Sequence, residues 1–212
     1  MTLGLADKVV AISGALVDIP HAFGGALALA YYAEPRGTVD IDINVFVAVE
    51  RFAEVASPLA KVGVSVDDPQ TAEVVRRDGQ ARVWWETTPV DLFFAYDRFH
   101  DAAASARRTV PFADALISIL AVEHLIVCKA IFNRTKDWID IESVLALETA
   151  VDVAEVLRWL GRIAGDDDPR YDRIAAVLLG RQRQEDSART ATLQLPLRRA
   201  EADDPGDQRA PV

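Results

Sequence analysis

The 212-residue sequence lacks several features, and each absence excludes a class of protein. Its single cysteine, Cys128, cannot form an internal disulfide, which fits a reducing compartment. No apolar run approaches the roughly 20 residues of a membrane span, and the N-terminus lacks the basic segment of a secretion signal. We therefore expect a cytoplasmic protein with no membrane partner.

Lysine is scarce as well. The formal net charge is −10, and only four residues are lysine: Lys8, Lys61, Lys129 and Lys136. This charge argues against a general nucleic-acid binder, because counterion release needs a basic surface. A local basic groove stays open if the fold gathers five arginines: Arg76, Arg77, Arg82, Arg107 and Arg108.

Several catalytic and metal-binding patterns are missing too. The three histidines have no zinc-ligand spacing among themselves or with Cys128. There is neither a Walker-type GxxxxGK[ST] nor a GxSxG motif, so P-loop and hydrolase interpretations fail. Half of the residues are hydrophobic and mean hydropathy is +0.09, which predicts a sizeable core in one large domain or two small ones.

The most informative stretch runs from Phe23 to Val47 and begins with a glycine pair. Gly24 and Gly25 precede a helical run from Ala26 to Tyr32. Without a Cβ the backbone can approach a ligand closely, and the N–H groups that begin a helix favour phosphate. The pattern predicts a phosphate-binding turn.

The same stretch ends in a strand that carries two aspartates. Asp40 and Asp42 alternate with Ile41 and Ile43, so the two carboxylates share one face of the strand. Two adjacent negative charges need a cation between them, and Mg²⁺ prefers carboxylates together with substrate phosphates. The spacing predicts a magnesium site, which Mn²⁺ could also occupy.

The remaining periodicity predicts an α/β fold, with a small mixed sheet flanked by helices and followed by a C-terminal helical block. We expect helices at 3–19, 50–61 (with a possible break at Pro58), 71–78 and 97–106, a hairpin of strands at 81–87 and 90–96, and an extended segment at 108–112. Four helices should follow, at 121–134, 135–147, 151–164 and 169–182. These elements suggest a core at 1–112, a helical block at 113–183 that closes a nucleotide cleft, and a flexible tail at 184–212.

Two further charged residues stand in apolar surroundings. Asp91 lies within a strand of large apolar residues, and Lys129 follows an apolar helical run. A buried charge needs a partner or a ligand. Asp137 and Asp140 lie on one helical face, and we expect Lys136 and Asp140 to form an exposed i,i+4 pair.

These motifs together resemble the nucleotidyltransferase superfamily with the polymerase-beta-like fold. Within it, Gly24-Gly25 and Arg36-x-Thr38-x-Asp40-x-Asp42 are similar to the AbiEii and MenT-like bacterial toxin enzymes. Lys129 with the segment Arg134 to Asp140 resembles a second motif of that branch. The resemblance covers residues 20–145.

The resemblance implies transfer of a nucleoside monophosphate from an NTP to an acceptor hydroxyl, with release of pyrophosphate. The implied roles are metal binding by Asp40, Asp42 and Asp91, phosphate binding by Gly24 and Gly25, charge neutralisation by Arg36 and Lys129, turn support by Thr38, and nucleotide contact by Asp137. It further implies a tRNA 3′ end as acceptor and an antitoxin as partner.

Two alternatives remain open at this point. One is a small-molecule nucleotidyltransferase of the antibiotic-modifying kind. The other is a non-catalytic binding protein that keeps the fold, although all three carboxylates are present.

Overall fold

The structure is a computed structural model that describes residues 3–66, 68–147 and 150–180. Its helices are α1 (Leu5–Ala15), α2 (Gly25–Leu29), α3 (Phe52–Val62, preceded by a 3₁₀ turn at Val49–Arg51), α4 (Pro69–Asp78), α5 (Arg98–Ala106), α6 (Val122–Phe132), α7 (Thr135–Ala146), α8 (Val153–Ala164) and α9 (169–180). Its strands are β1 (His21–Phe23), β2 (Ile41–Val45), β3 (Gln80–Trp85), β4 (Thr88–Phe94), β5 (Arg108–Phe112) and β6 (Ala115–Ile119). The predicted tail at 184–212 lies outside the described residues.

The six strands form one mixed sheet in the order β3-β4-β2-β1-β6-β5. β2 runs parallel to β4, and β1 runs parallel to β6, while the other neighbours are antiparallel. The predicted mixed sheet with flanking helices and a C-terminal helical block is confirmed. The pairing of β2 with β4 brings together two segments that are far apart in the sequence.

The core lies between the sheet and its helices. Ile41 and Ile43 of β2 are buried on the face opposite Asp42, as the alternation predicted. On α1, the buried Lys8 donates from its Nζ to the Trp85 carbonyl oxygen, Glu86 Oε2 and Thr88 Oγ1 at 2.9–3.1 Å. These bonds anchor the β3–β4 turn to α1.

Two local expectations are corrected. Helices were expected to follow residue 112, but β6 pairs with both β1 and β5 and completes the sheet. A five-residue apolar run of this kind cannot be assigned to helix or strand from periodicity alone. The expected break at Pro58 is also absent, because α3 continues through it.

Helices α6 to α9 occupy the C-terminal part of the described chain. Among all the described residues, no helix has both the length and the apolar character needed to cross a bilayer. The division of the chain into units at residue 112 remains a prediction.

Candidate active site

A cleft of about 780 Å³ separates one face of the sheet from the C-terminal helices. Its lining includes most of the residues singled out from the sequence: Gly25, Arg36, Asp40, Asp42, Asp91, Lys129 and Asp137. Residues separated by about a hundred positions in the sequence therefore share one surface.

The carboxylates enter this cleft from two adjacent parallel strands. Asp42 of β2 is the register partner of Asp91 of β4, and Asp40 immediately precedes β2. Neighbouring strands lie about 4.8 Å apart, and register partners point to the same face of a sheet. Asp91, which the family resemblance implied as a metal ligand, thus lies beside Asp42.

Asp42 carries the clearest electrostatic perturbation of the three. Burial raises its pKa to about 6, and the negative charges of Asp40 and Asp91 act in the same direction. The positive charges of Lys129 and Arg134 oppose the shift without cancelling it. The ionised form of Asp42 is therefore short of cationic neighbours.

Asp40 has a different environment. Burial alone would raise its pKa, but a hydrogen bond from Thr38 Oγ1 to Asp40 Oδ1, with its backbone amide and nearby basic residues, brings the pKa below its usual value. Asp40 is therefore ionised beside Asp42. Thr38 thus holds one of the Asp40 oxygens from two residues away.

The two glycines occupy different positions relative to the cleft. The Gly24 N–H donates to the Asp42 carbonyl oxygen at 2.9 Å, so this amide is used by the backbone. Gly25 has φ +52°, and a Cβ built there would lie 1.8 Å from Asp42 Oδ2. The absence of a side chain at Gly25 thus makes room for the Asp42 carboxylate.

Asp91 already has a cationic partner, which the sequence interpretation missed. Arg82 on β3 donates to both Asp91 oxygens, each at 2.7 Å. The two residues are register partners across the β3–β4 hairpin. The predicted hairpin placed its turn at 88–89, which would pair residue 86 with Asp91; the turn lies at 86–87, and this shift pairs Arg82 with Asp91.

A second missed feature is a cluster centred on the buried Asp140, which we call the Asp140 cluster (the exposed Arg36 with the buried Lys129 and Asp140). Arg36 donates from Nε and Nη2 to the two Asp140 oxygens at 2.8 Å, and Lys129 Nζ donates to Oδ2 at 2.7 Å. Asp140 is 3% exposed and Lys129 is 4% exposed. The expected exposed pair of Lys136 with Asp140 is wrong, because Asp140 faces inward and is bonded to other cations.

Asp137 is held in a similar way one helical turn earlier. It is 1% exposed and accepts hydrogen bonds from Arg134 Nε at 2.7 Å, Nη2 at 3.1 Å and the Arg134 backbone N–H at 3.1 Å. Both residues line the cleft. In this geometry Asp137 fixes the Arg134 guanidinium at the cleft wall.

The donor chemistry of Asp40, Asp42 and Asp91 fits a hard divalent cation, since all three offer carboxylate oxygens and Asp42 is short of positive charge. No three histidine, cysteine or acidic side chains among the described residues form a ready-made metal cluster. Arg82 and Thr38 hold two of the three carboxylates. In this structure each Asp91 oxygen accepts one hydrogen bond from Arg82.

The five arginines considered for an RNA-binding groove are not gathered. Arg82 lies on β3 and Arg108 on β5, which are the opposite edges of the six-stranded sheet. Arg77 pairs with Asp78 on both oxygens, and Arg76 and Arg107 donate to backbone carbonyls of their own helices. The fold therefore offers no single patch built from these five residues.

The fold is similar to two solved structures of the antibiotic-resistance factor ANT(2″)-Ia. The solution structure matches with a TM-score of 0.53 and 14% identity, over 88% of this chain and 97% of that chain. The crystal structure in complex with adenylyl-2″-tobramycin matches with a TM-score of 0.54 and 17% identity, over 74% of this chain and 96% of that chain. The sequence matches no protein-family model and no curated protein.

At 14% and 17% identity, these similarities bear on the fold alone. They leave the nearer resemblance to AbiEii and MenT-like enzymes as a prediction. The chain has the nucleotidyltransferase fold.

Proposed function

We propose that this protein is a metal-dependent nucleotidyltransferase that moves a nucleoside monophosphate from an NTP to an acceptor hydroxyl and releases pyrophosphate. The observation that carries the proposal is that Asp42 and Asp91 are register partners on adjacent strands, with Asp40 beside them. The opposite wall of the same cleft presents Lys129 and Arg134. Carboxylates on one wall and cations on the other suit a metal-bound triphosphate.

Each side chain then has a role in the cleft. Asp40, Asp42 and Asp91 would hold Mg²⁺ or Mn²⁺. When bound, the metal would stabilise the negative charge on the attacking and leaving oxygens. Arg134 and the Asp140 cluster would neutralise the triphosphate as charge moves onto pyrophosphate. Gly25 leaves space for the Asp42 carboxylate, and Thr38 fixes Asp40.

The acceptor we favour is a small hydroxyl compound with positive charge. The chain carries a net charge of −10, and two of the candidate RNA-binding arginines, Arg82 and Arg108, lie at opposite sheet edges. Such a surface attracts small cations and repels polyanions. The ANT(2″)-Ia complex with adenylyl-2″-tobramycin supports an acceptor of this class.

A tRNA 3′ end is the second candidate acceptor. It is favoured by the Arg36-x-Thr38-x-Asp40-x-Asp42 motif and by Lys129 with the following helix, which resemble the toxin enzymes. An antitoxin partner would accompany this activity.

The test is transfer of label from each of the four α-³²P NTPs, with Mg²⁺, into total cellular RNA and into a set of polyhydroxylated amines that includes tobramycin. We expect label in the amines, and none with the double variant Asp40→Ala/Asp42→Ala. Label in a tRNA-sized band would favour the second candidate. Absence of transfer with every nucleotide and acceptor would contradict a nucleotidyltransferase and favour the non-catalytic alternative.

A further inference from the structure

The pairing of Arg82 with Asp91 differs from the other ion pairs in the cleft. Its two hydrogen bonds, both 2.7 Å, occupy both oxygens of a carboxylate that the proposed function assigns to the metal. Arg36, Lys129 and Arg134 are bound to Asp140 or Asp137, which have no assigned metal role. Among the described residues, Arg82 alone is ion-paired with one of the three proposed metal ligands.

The two partners differ in how freely they can move. The Arg82 side chain is 54% exposed, whereas the Asp91 side chain is 15% exposed. Arg82 lies on β3, an edge strand of the described sheet, where the isolated bridge from Ser65 reaches Trp84 and not Arg82. A guanidinium in this position can leave the carboxylate and remain in the cleft, which it also lines.

We propose that Arg82 is an internal counterion of Asp91 that competes with the divalent cation for this carboxylate. The inference rests on the proposed function, because it assumes that Asp91 is a metal ligand. In the nucleotide-free protein Arg82 neutralises Asp91 and keeps the three carboxylates from forming a ready-made cluster, in agreement with the absence of such a cluster among the described residues. Once released, its planar fork of donors suits a phosphate group of the incoming nucleotide.

The test is Mn²⁺ binding to the full chain without nucleotide, measured from the free Mn²⁺ signal in electron paramagnetic resonance. We expect Arg82→Gln to bind Mn²⁺ about fivefold more tightly than the wild type, since it removes a partly exposed competing pair. Arg82→Lys keeps the charge without the bidentate fork and should bind with intermediate affinity. Cooperative thermal unfolding of each variant checks that it is folded.

Arg76→Gln is the matched control, because it removes the same charge from the neighbouring helix α4, where the Arg76 Nε donates only to a backbone carbonyl. A second control places Arg82→Gln in an Asp91→Asn background, where it should change Mn²⁺ affinity little. Equal affinity of the wild type and Arg82→Gln, an equal gain in Arg76→Gln, or a gain that persists without Asp91 would each overturn the inference.

The two proposals fail in different ways. If Mn²⁺ binds and the Asp40→Ala/Asp42→Ala variant loses it, while Arg82→Gln changes nothing, only the counterion role is contradicted. If neither the wild type nor Arg82→Gln binds Mn²⁺, the metal site of the proposed function is contradicted together with this inference.

Discussion

Asp42 is destabilising to the folded protein when it is ionised. Its folded-state pKa of about 6 lies above the unfolded value of 3.8. For a group shifted in this direction, the stabilising contribution is complete below the unfolded pKa and is lost as the pH rises through the folded pKa. Close to neutral pH, the ionised Asp42 carboxylate therefore lowers the free energy of unfolding as long as no cation is bound beside it.

Asp42→Asn should consequently stabilise the metal-free protein. We expect a gain of about 1–3 kcal/mol in the free energy of unfolding at pH 7.5, shrinking towards zero at pH 4. Urea unfolding of both proteins across this range measures it, and the shared histidine contributions cancel in the difference. Asp114→Asn, on the exposed β5–β6 turn, should change stability little at either pH. A pH-independent difference for Asp42→Asn would contradict the electrostatic cause.

The same carboxylate occupies space that a side chain at position 25 would fill. Gly25→Ala would place a Cβ 1.8 Å from Asp42 Oδ2, at a φ of +52° that alanine adopts at a cost of about 1–2 kcal/mol. We expect lower stability and loss of nucleotide transfer, measured by thermal unfolding and by label transfer. Gly14→Ala is the matched control, because an added Cβ meets no atom within 4 Å and alanine favours helix α1. A Gly25→Ala variant with normal transfer would show that Asp42 has room to move.

The Asp140 cluster joins three segments of the chain: the loop before β2, helix α6 and helix α7. Burial would raise the pKa of Asp140, but the bonds from Arg36 and Lys129 more than offset it, so the pKa lies below its usual value. The carboxylate therefore stays ionised while buried and fixes two cations at the cleft. Its loss would leave the buried Lys129 Nζ without this carboxylate acceptor.

Asp140→Asn should destabilise the protein by about 3–5 kcal/mol, the usual effect of removing one partner of a buried ion pair. Urea unfolding at neutral pH measures this change. Glu142→Gln, on the exposed side of the same helix, removes the same charge and should have little effect. Equal stability of Asp140→Asn and the wild type would mean that the cluster does not hold α6, α7 and the loop together.

The elements also show which parts of the site the sequence could predict. Gly24-Gly25 and Asp40-x-Asp42 are local patterns, so spacing alone predicted a turn beside a strand with two carboxylates on one face. The Asp42–Asp91 pairing depends on β2 lying next to β4, which spacing cannot give and which the family resemblance supplied. The Arg36–Asp140 pair spans 104 residues, and no local pattern contains such a contact.

The distribution of charge over the molecule affects which class of acceptor can bind. Arg82 and Arg108 lie at opposite edges of a six-stranded sheet, about 24 Å apart at about 4.8 Å per strand, and the net charge of −10 repels a polyanion. We expect labelled tRNA to show no saturable binding below about 0.1 mM at physiological salt, as measured by fluorescence anisotropy. Micromolar binding that falls steeply with salt would contradict this account and favour the tRNA candidate.

The central claim is nucleotidyl transfer at the paired carboxylates, and the fate of two phosphorus labels tests it most directly. The nucleotide that the protein uses is supplied with ³²P at the α or at the γ position, together with Mg²⁺ and the acceptor. We predict that α label enters the acceptor, that γ label appears as pyrophosphate, and that Asp42→Ala does neither. γ label in the acceptor or as free phosphate, or α transfer that persists in Asp42→Ala, would contradict the account.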